Sequence, residues 1–526
     1  MAMKAAHSIL AAALLVSLAR PAAATGFTDY GGDLEVEPTQ WLEADGYFRL
    51  RGAGLYNLDL DHGTTPSGQT LYPVSLTDPE AQLLSSADMR LRTDLAAYWP
   101  DGGLAVKVRI DALDNVALGS APDGIPAASA TQRSPDSAVV LKRAYGEALT
   151  PLGLLAAGRM GSHWGLGMLA NGGDCDDCDS GDAADRIAFI TSMFGHLWAV
   201  AYDFTATGPF VPNRTETRAI DIAPSAMVHT ITVAGMRYDS DLALRRRTRA
   251  DKWTGNYGAY LSHRWQTDDI PATYLPTAQP VPVDAGQVMA RGYQATAVDL
   301  WVRVTSKYLR VELEAAYLNA SVDQSSLIPG VLFHEPVTSN QLGAAVETSI
   351  GDEEGSLTGG IDGGFASGDQ APGFGAFPKV GATSPVAGDL DGAQARPPFD
   401  TTVDNFRFHP DYRVDRILFR EIIGSVTDAG YLRPHVDWAV MRNHRGTLTL
   451  GLAAIASWAV YAASTPGGER PLGVEIDPTI RYDSPFGFGM AIEQATLLPL
   501  SGLDNPQQGL DAQPAQLWRA RLMYGF

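Results

Sequence analysis

Apolar and polar residues alternate at period two through most of the chain, in short segments divided by stretches rich in Gly, Pro and Asp. In the last twelve residues Trp518, Ala520, Leu522, Tyr524 and Phe526 fall on one face, and Leu517, Arg519, Arg521, Met523 and Gly525 on the other. Phe48 and Leu50 oppose Arg49 and Arg51; Met89, Leu91 and Leu95 oppose Arg90, Arg92 and Asp94; Val106, Val108 and Ile110 oppose Lys107, Arg109 and Asp111. Each pattern predicts a β-strand. Further strands are expected near 138–149, 152–160, 185–192, 196–206, 228–239, 255–265, 295–305, 307–319, 340–350, 354–365, 431–441, 446–461, 472–483, 487–497 and 515–526.

The charged residues fall on the face that a closed sheet turns inward, and the apolar ones on its outside. That is the inverse of a soluble barrel and suits a wall in contact with lipid. The fold class expected is all-β: one antiparallel up-and-down transmembrane barrel of about eighteen strands, with sixteen as the alternative. Short turns alternate with long loops near 57–86, 116–137, 161–184, 207–227, 266–294, 320–339, 366–430, 462–471 and 498–514. Parity decides one segment. Reading 415–424 as a strand makes the count odd, whereas Val414, Ile417, Leu418 and Ile422 recur at helical spacing, so a short helix is expected near 413–423. Loop 366–430 is long enough to fold into the lumen. Two stretches resist. Thr447 to Ala463 carries no charge and could be a membrane helix of marginal length, although Leu448, Leu450, Leu452 and Trp458 alternate as in a strand. Residues 240–254 are long and basic for a short turn, and the pattern offers no account of them.

The termini fit this picture. Residues 1–24 carry Lys4, an apolar run from Ile9 to Ala19 and the small-residue site Ala22-Ala23-Ala24, a secretory signal too short to span a bilayer. Residues 25–41 then read as a short periplasmic lead, and 42–526 as the barrel. The closing strand resembles that of bacterial outer-membrane barrels, in which a terminal aromatic, here Phe526, is part of the signal read by the assembly machinery. The chain is 45% hydrophobic, with 54 Gly and 33 Pro. Its mean hydropathy is only −0.07, so its apolar residues are dispersed. The net charge is −21, and loss of Lys4 and Arg20 with the signal takes it to −23 (−21 − 2), which gives no reason to seek nucleic acid.

Closing the barrel brings the last strand beside the first. Arg49, Arg51, Arg90, Arg92, Lys107, Arg109, Arg519 and Arg521 would then form a basic arc lining the pore, with Asp94 and Asp111 among them. Glu312, Glu314, Glu347, Asp437, Glu475, Asp477 and Glu493 would line it elsewhere. Such walls set ion preference, unless the charges merely pair across strands. The only two cysteines, Cys175 and Cys178, lie in DCDDCDSGD, and in an exported protein they are expected to form a disulfide. Asp174, Asp176, Asp179 and Asp182 are hard oxygen ligands that could hold calcium, although the spacing is not that of an EF-hand; a solvated acidic loop tip is the plainer alternative. No other cofactor is implied. Gly165-x-Gly167 mimics a dinucleotide fingerprint without its helix. Neither GxSxG nor HExxH occurs, and Ser162 with His163, or His435 with Asp437, allow a catalytic triad only by assumption. No enzyme is expected. Trp99, Trp198, Trp265, Trp301 and Trp458 read as interface anchors and wall packing.

Three stretches, 158–186, 411–436 and the closing strand, resemble a family of uncharacterised outer-membrane barrel proteins within the general porin-like pattern. The resemblance implies an integral barrel of the bacterial outer membrane, with lipid, lipopolysaccharide and the assembly machinery as its partners. It transfers no activity and no site residues. The function expected is a porin-like channel for passive diffusion of small polar or anionic solutes. The alternatives are a non-conducting surface barrel displaying acidic loops for adhesion or recognition and, less favoured, an outer-membrane hydrolase. Solute, oligomeric state and gating are not legible.

Overall fold

The computed structural model describes residue 27 and residues 41–78, 82–99, 103–118, 139–205, 208–275, 283–352, 355–376 and 384–526. The signal segment and nearly all of the lead lie outside these residues. The first wall strands are β1 (Leu42–Tyr56), β2 (Leu83–Trp99), β3 (Leu104–Ala117), β4 (Val139–Thr150), β5 (Gly153–Gly161), β6 (Ala183–Met193) and β7 (His196–Thr205). A small hairpin, β8 (Phe210–Pro212) and β9 (Ala219–Asp221), sits in the next loop. The wall resumes with β10 (Val228–Arg237), β11 (Thr254–Asp269), β12 (Met289–Thr305), β13 (Leu309–Val322), β14 (Val337–Ile350) and β15 (Leu357–Ala366). It finishes with β16 (Ala429–Asn443), β17 (Gly446–Ala459), β18 (Pro471–Asp483), β19 (Phe488–Pro499) and β20 (Ala515–Gly525).

The wall is an 18-stranded antiparallel sheet in which each strand pairs with the next, β7 pairs with β10, and β20 pairs back to β1. Closure leaves no edge, as every barrel in lipid requires. The alternation sets the faces as expected. Trp518 (46% exposed) and Tyr524 (49%) face outward on β20, whereas Leu517 (0%) and Arg519 (5%) face inward. The uncharged run at 447–463 is a strand, β17, over most of its length. No helix among the described residues is long and apolar enough to cross a membrane. With an apolar exterior and a closed ladder, the chain is an integral β-barrel of the bacterial outer membrane.

Two connections differ from expectation. The segment near 413–423 is helical only as a π-turn, Leu418–Ile422. Buried carboxylates claim the backbone on its amino-terminal side: Phe419 and Arg420 donate to Asp415, and Arg416, Ile417 and Leu418 donate to Glu475. The residues that carried the helical spacing, Val414, Ile417, Leu418 and Ile422, are all buried. The basic stretch after β10 contains an α-helix, α1 (Asp241–Arg249), capped by Ser240 Oγ, which accepts from the Ala243 N–H. It stands at the end of the barrel that carries the short turns, the periplasmic end.

The core lies inside the barrel. The described parts of loop 367–428 fold inward and bury Phe374, Phe406, Phe408, Ile417, Leu418 and Phe419 against small inward wall residues such as Ala316, Ala345, Ala453, Ala459 and Ala495. Gly343 shows how closely it seats: a Cβ there would lie 2.3 Å from the Phe406 ring.

Candidate functional site: an acidic finger clasped by arginines

The wall strands β20, β1, β2 and β3 lie side by side and carry the basic arc on their inner face. In register, Arg521 stands opposite Arg51, and Arg49 opposite Arg90. Like charges directly opposed destabilise a sheet, so this wall needs anions in front of it. The loop between β5 and β6 supplies them. Instead of projecting into solvent, residues 162–182 fold into the barrel as a finger whose tip is closed by the Cys175–Cys178 disulfide, with Cα atoms 5.1 Å apart.

The finger's root is fixed by one wall carboxylate. Glu314 of β13 accepts from the N–H groups of Leu166 (2.5 Å), Met168 (3.3 Å) and Leu169 (3.1 Å). Gly165 makes this turn possible: its φ is +55°, and a Cβ there would lie 2.6 Å from Glu314 Oε2. The pair that mimics a nucleotide loop thus wraps backbone around a carboxylate. Glu475 of β18 does the same for loop 367–428. Each wall glutamate therefore holds one infolded loop through three backbone donors.

The finger's tip meets the arc. Arg49 donates to the carbonyls of Asp176 and Cys178, and Arg90 to those of Cys178 and Asp179. Arg92 holds Asp111 through two bonds of 2.8 Å and reaches the Gly173 carbonyl. Arg109 pairs with Asp94 and with Asp174, which Arg143 also contacts. Lys107 pairs with Glu147. Loop 367–428 completes the clasp. Asp177 lies within 4.0 Å of Arg51, Arg413, Arg420, Arg519 and Arg521, and Asp179 within 4.0 Å of Arg49, Arg51, Arg90, Arg413 and Arg420. Burial alone would push Asp174, Asp177 and Asp179 up; the guanidiniums more than offset it and hold all three well below the usual carboxylate range. At Asp176 burial outweighs the nearby Arg521 and raises it. Asp174 stands inside the wall yet is 37% exposed, so it borders the lumen's water.

Between finger, arc and loop remains a cavity of about 360 Å³. Arg51, Arg413, Arg420 and Arg519 line it with Asp88, Asp179, Asp411 and Glu421, and Ala53, Leu55, Pro410 and Gly424 form its apolar side. Of the predicted arc, Arg51 and Arg519 border this space. Arg49 (0% exposed), Arg90 (0%) and Arg92 (4%) lie beneath the finger and face it, so they do not line an open passage. The inward acids are corrected similarly. Glu314 and Glu475 are buried under loops, Asp477 and Glu493 pair with Arg416, and Glu312 accepts from Trp301 Nε1. Glu347 and Asp437 are half-buried on the inner face.

The four acids considered for calcium do not converge: Asp174 and Asp179 face guanidiniums, and Asp182 accepts from the Asn171 N–H. Among the described residues no group of three or more His, Cys, Asp or Glu side chains is placed to hold a metal ion. The solvated loop tip is likewise replaced by a clasped one. His435 faces Asp362 at 3.4 Å, and His163 accepts from the Gly172 N–H. Sequence reasoning missed Arg413, Arg416 and Arg420. Their only signal was a run of alternating charges in 411–421, which helical spacing had absorbed.

No family model matches the chain, and no curated protein matches it. Solved structures with a similar course include OpdK of Pseudomonas aeruginosa with vanillate, at 10% identity and a TM-score of 0.44, covering 92% of this chain and 98% of that one. OccAB3 of Acinetobacter baumannii is 11% identical at 0.43, covering 92% and 99%. A BenF-like porin from Pseudomonas fluorescens Pf-5 is 7% identical at 0.43, covering 92% and 98%. Similarity at this level does not reach to function.

Proposed function

We propose that this barrel is a narrow porin-like channel whose constriction favours small anionic solutes. One observation carries the reading: Arg49, Arg51, Arg90, Arg413, Arg420, Arg519 and Arg521 surround two finger carboxylates, Asp177 and Asp179. Asp88, Asp111, Asp114, Asp411 and Glu421 also lie within 4.0 Å of these arginines. Seven arginines are thus gathered against seven carboxylates, a concentration of cations in a chain of net charge −21. A solute carboxylate or phosphate reaching the cavity meets guanidiniums already held in place. It exchanges with the shared aspartates as a bonding partner, so it loses little on desolvation and is not trapped. The apolar strip of Ala53 and Leu55 accommodates the rest of a small molecule.

Reversal potentials across a salt gradient test this. The native protein is expected to prefer anions, and Arg413→Glu with Arg519→Glu to weaken or invert the preference. Cation preference in the native protein, unchanged in the variant, contradicts it. The competing reading, a plugged surface barrel, draws its support from the apolar core that loop 367–428 builds in the lumen.

A further inference from the structure

The connection from β10 to β11 is unlike the other turns at its end of the barrel. Arg237, Arg245, Arg246, Arg247, Arg249 and Lys252 crowd into it, all exposed, on a strongly acidic chain. α1 organises them. Leu244 and Thr248, one turn apart, are half-buried, while Arg245, Arg246, Arg247 and Arg249 are exposed.

Two residues beside the helix set its level. On β10 the lipid face is Ile231 and Val233, each 40% exposed, and Arg237 falls on that same parity at the strand's end. On β11 the lipid face is Tyr257 (44%) and Leu261 (45%), and Trp253 (57%) continues it. Arg247 donates to the Trp253 carbonyl, tying the helix to this point. Tyr257 meets His196 through a 2.9 Å hydrogen bond, and Trp198 is exposed beside them. Outward aromatics of this kind sit at headgroup depth. An arginine on the lipid side at that depth cannot enter hydrocarbon and extends into the headgroups.

We propose that α1, with Arg237, Lys252 and Trp253, is a binding site for the anionic phosphodiester headgroups of the periplasmic leaflet. Guanidinium forks match a phosphodiester's oxygens two at a time, and clustered cations at a membrane surface add their attraction to anionic lipid. Lipopolysaccharide phosphates are excluded as the occupant because they lie at the opposite end. The inference is independent of whether the lumen conducts.

The full mature barrel is purified in detergent and mixed with phosphatidylglycerol or with phosphatidylethanolamine of the same acyl chains, and retained lipid is read by native mass spectrometry. Phosphatidylglycerol is expected to be retained on the order of tenfold more than phosphatidylethanolamine. The preference is expected to vanish in Arg245→Gln/Arg246→Gln/Arg247→Gln/Arg249→Gln, whose folding is checked by heat modifiability. Equal retention of the two lipids by the native protein overturns the proposal without need of the variant. So does a preference the folded variant keeps, or binding to purified peptidoglycan with no lipid preference.

Discussion

At the scale of single residues, the molecule depends on two wall glutamates that its sequence pattern assigns to the lumen. Glu314 and Glu475 face inward, as period two requires, but each is spent on three backbone N–H groups of an infolded loop. Removing such an acceptor leaves buried donors unpaired, at about 1–3 kcal/mol each. Glu314→Ala is therefore expected to free the finger while the barrel stays folded. With partial rehydration limiting the loss to about 3 kcal/mol, amide exchange at Leu166, Met168 and Leu169 should quicken on the order of a hundredfold. Unchanged protection there would show that Glu314 does not hold the finger. Nothing in the sequence could have marked this role. A glutamate among alternating residues reads the same whether it faces water or a peptide, and the partner segment lies 145 residues away.

At the scale of elements, the strands were legible and the loops were not, for a physical reason. Each wall strand has one face in lipid, so its periodicity is enforced along its whole length. That is why the eighteen strands, the closing β20 and the neighbourhood of the arc can be read directly. The finger and loop 367–428 are instead held by side chain to backbone contacts distant in sequence, which leave no period. The segment 413–423 misleads because its apolar spacing serves packing against the wall, while Asp415 and Glu475 take the donors a longer helix would use. The finger's pH response follows from its charges. Asp174, Asp177 and Asp179 have folded values below their unfolded ones, so their stabilisation is complete above the ordinary carboxylate range and lost as pH falls through the lowered values. Release of the finger tip from the arginines, seen as noisy channel current, is expected only below about pH 3. Release near pH 5 would mean that the arginines do not hold these carboxylates.

At the scale of the whole molecule, the barrel supplies a wall with opposed cations, and the chain fills it from one side with an acidic finger and from the other with a largely apolar loop that brings Arg413 and Arg420 to the finger. The result is neither an open cylinder nor a solid plug, but a charged gap of about 360 Å³. We propose that this gap conducts and that the finger sets its width. The most direct test is single-channel recording of the refolded mature protein in planar bilayers, beside a variant with residues 173–181 replaced by a short Gly-Ser bridge, both shown to be heat-modifiable. Small discrete steps in the native protein, and larger, less selective ones in the variant, are expected. Silence from both, or native steps that the shortened finger leaves unchanged, would contradict the account.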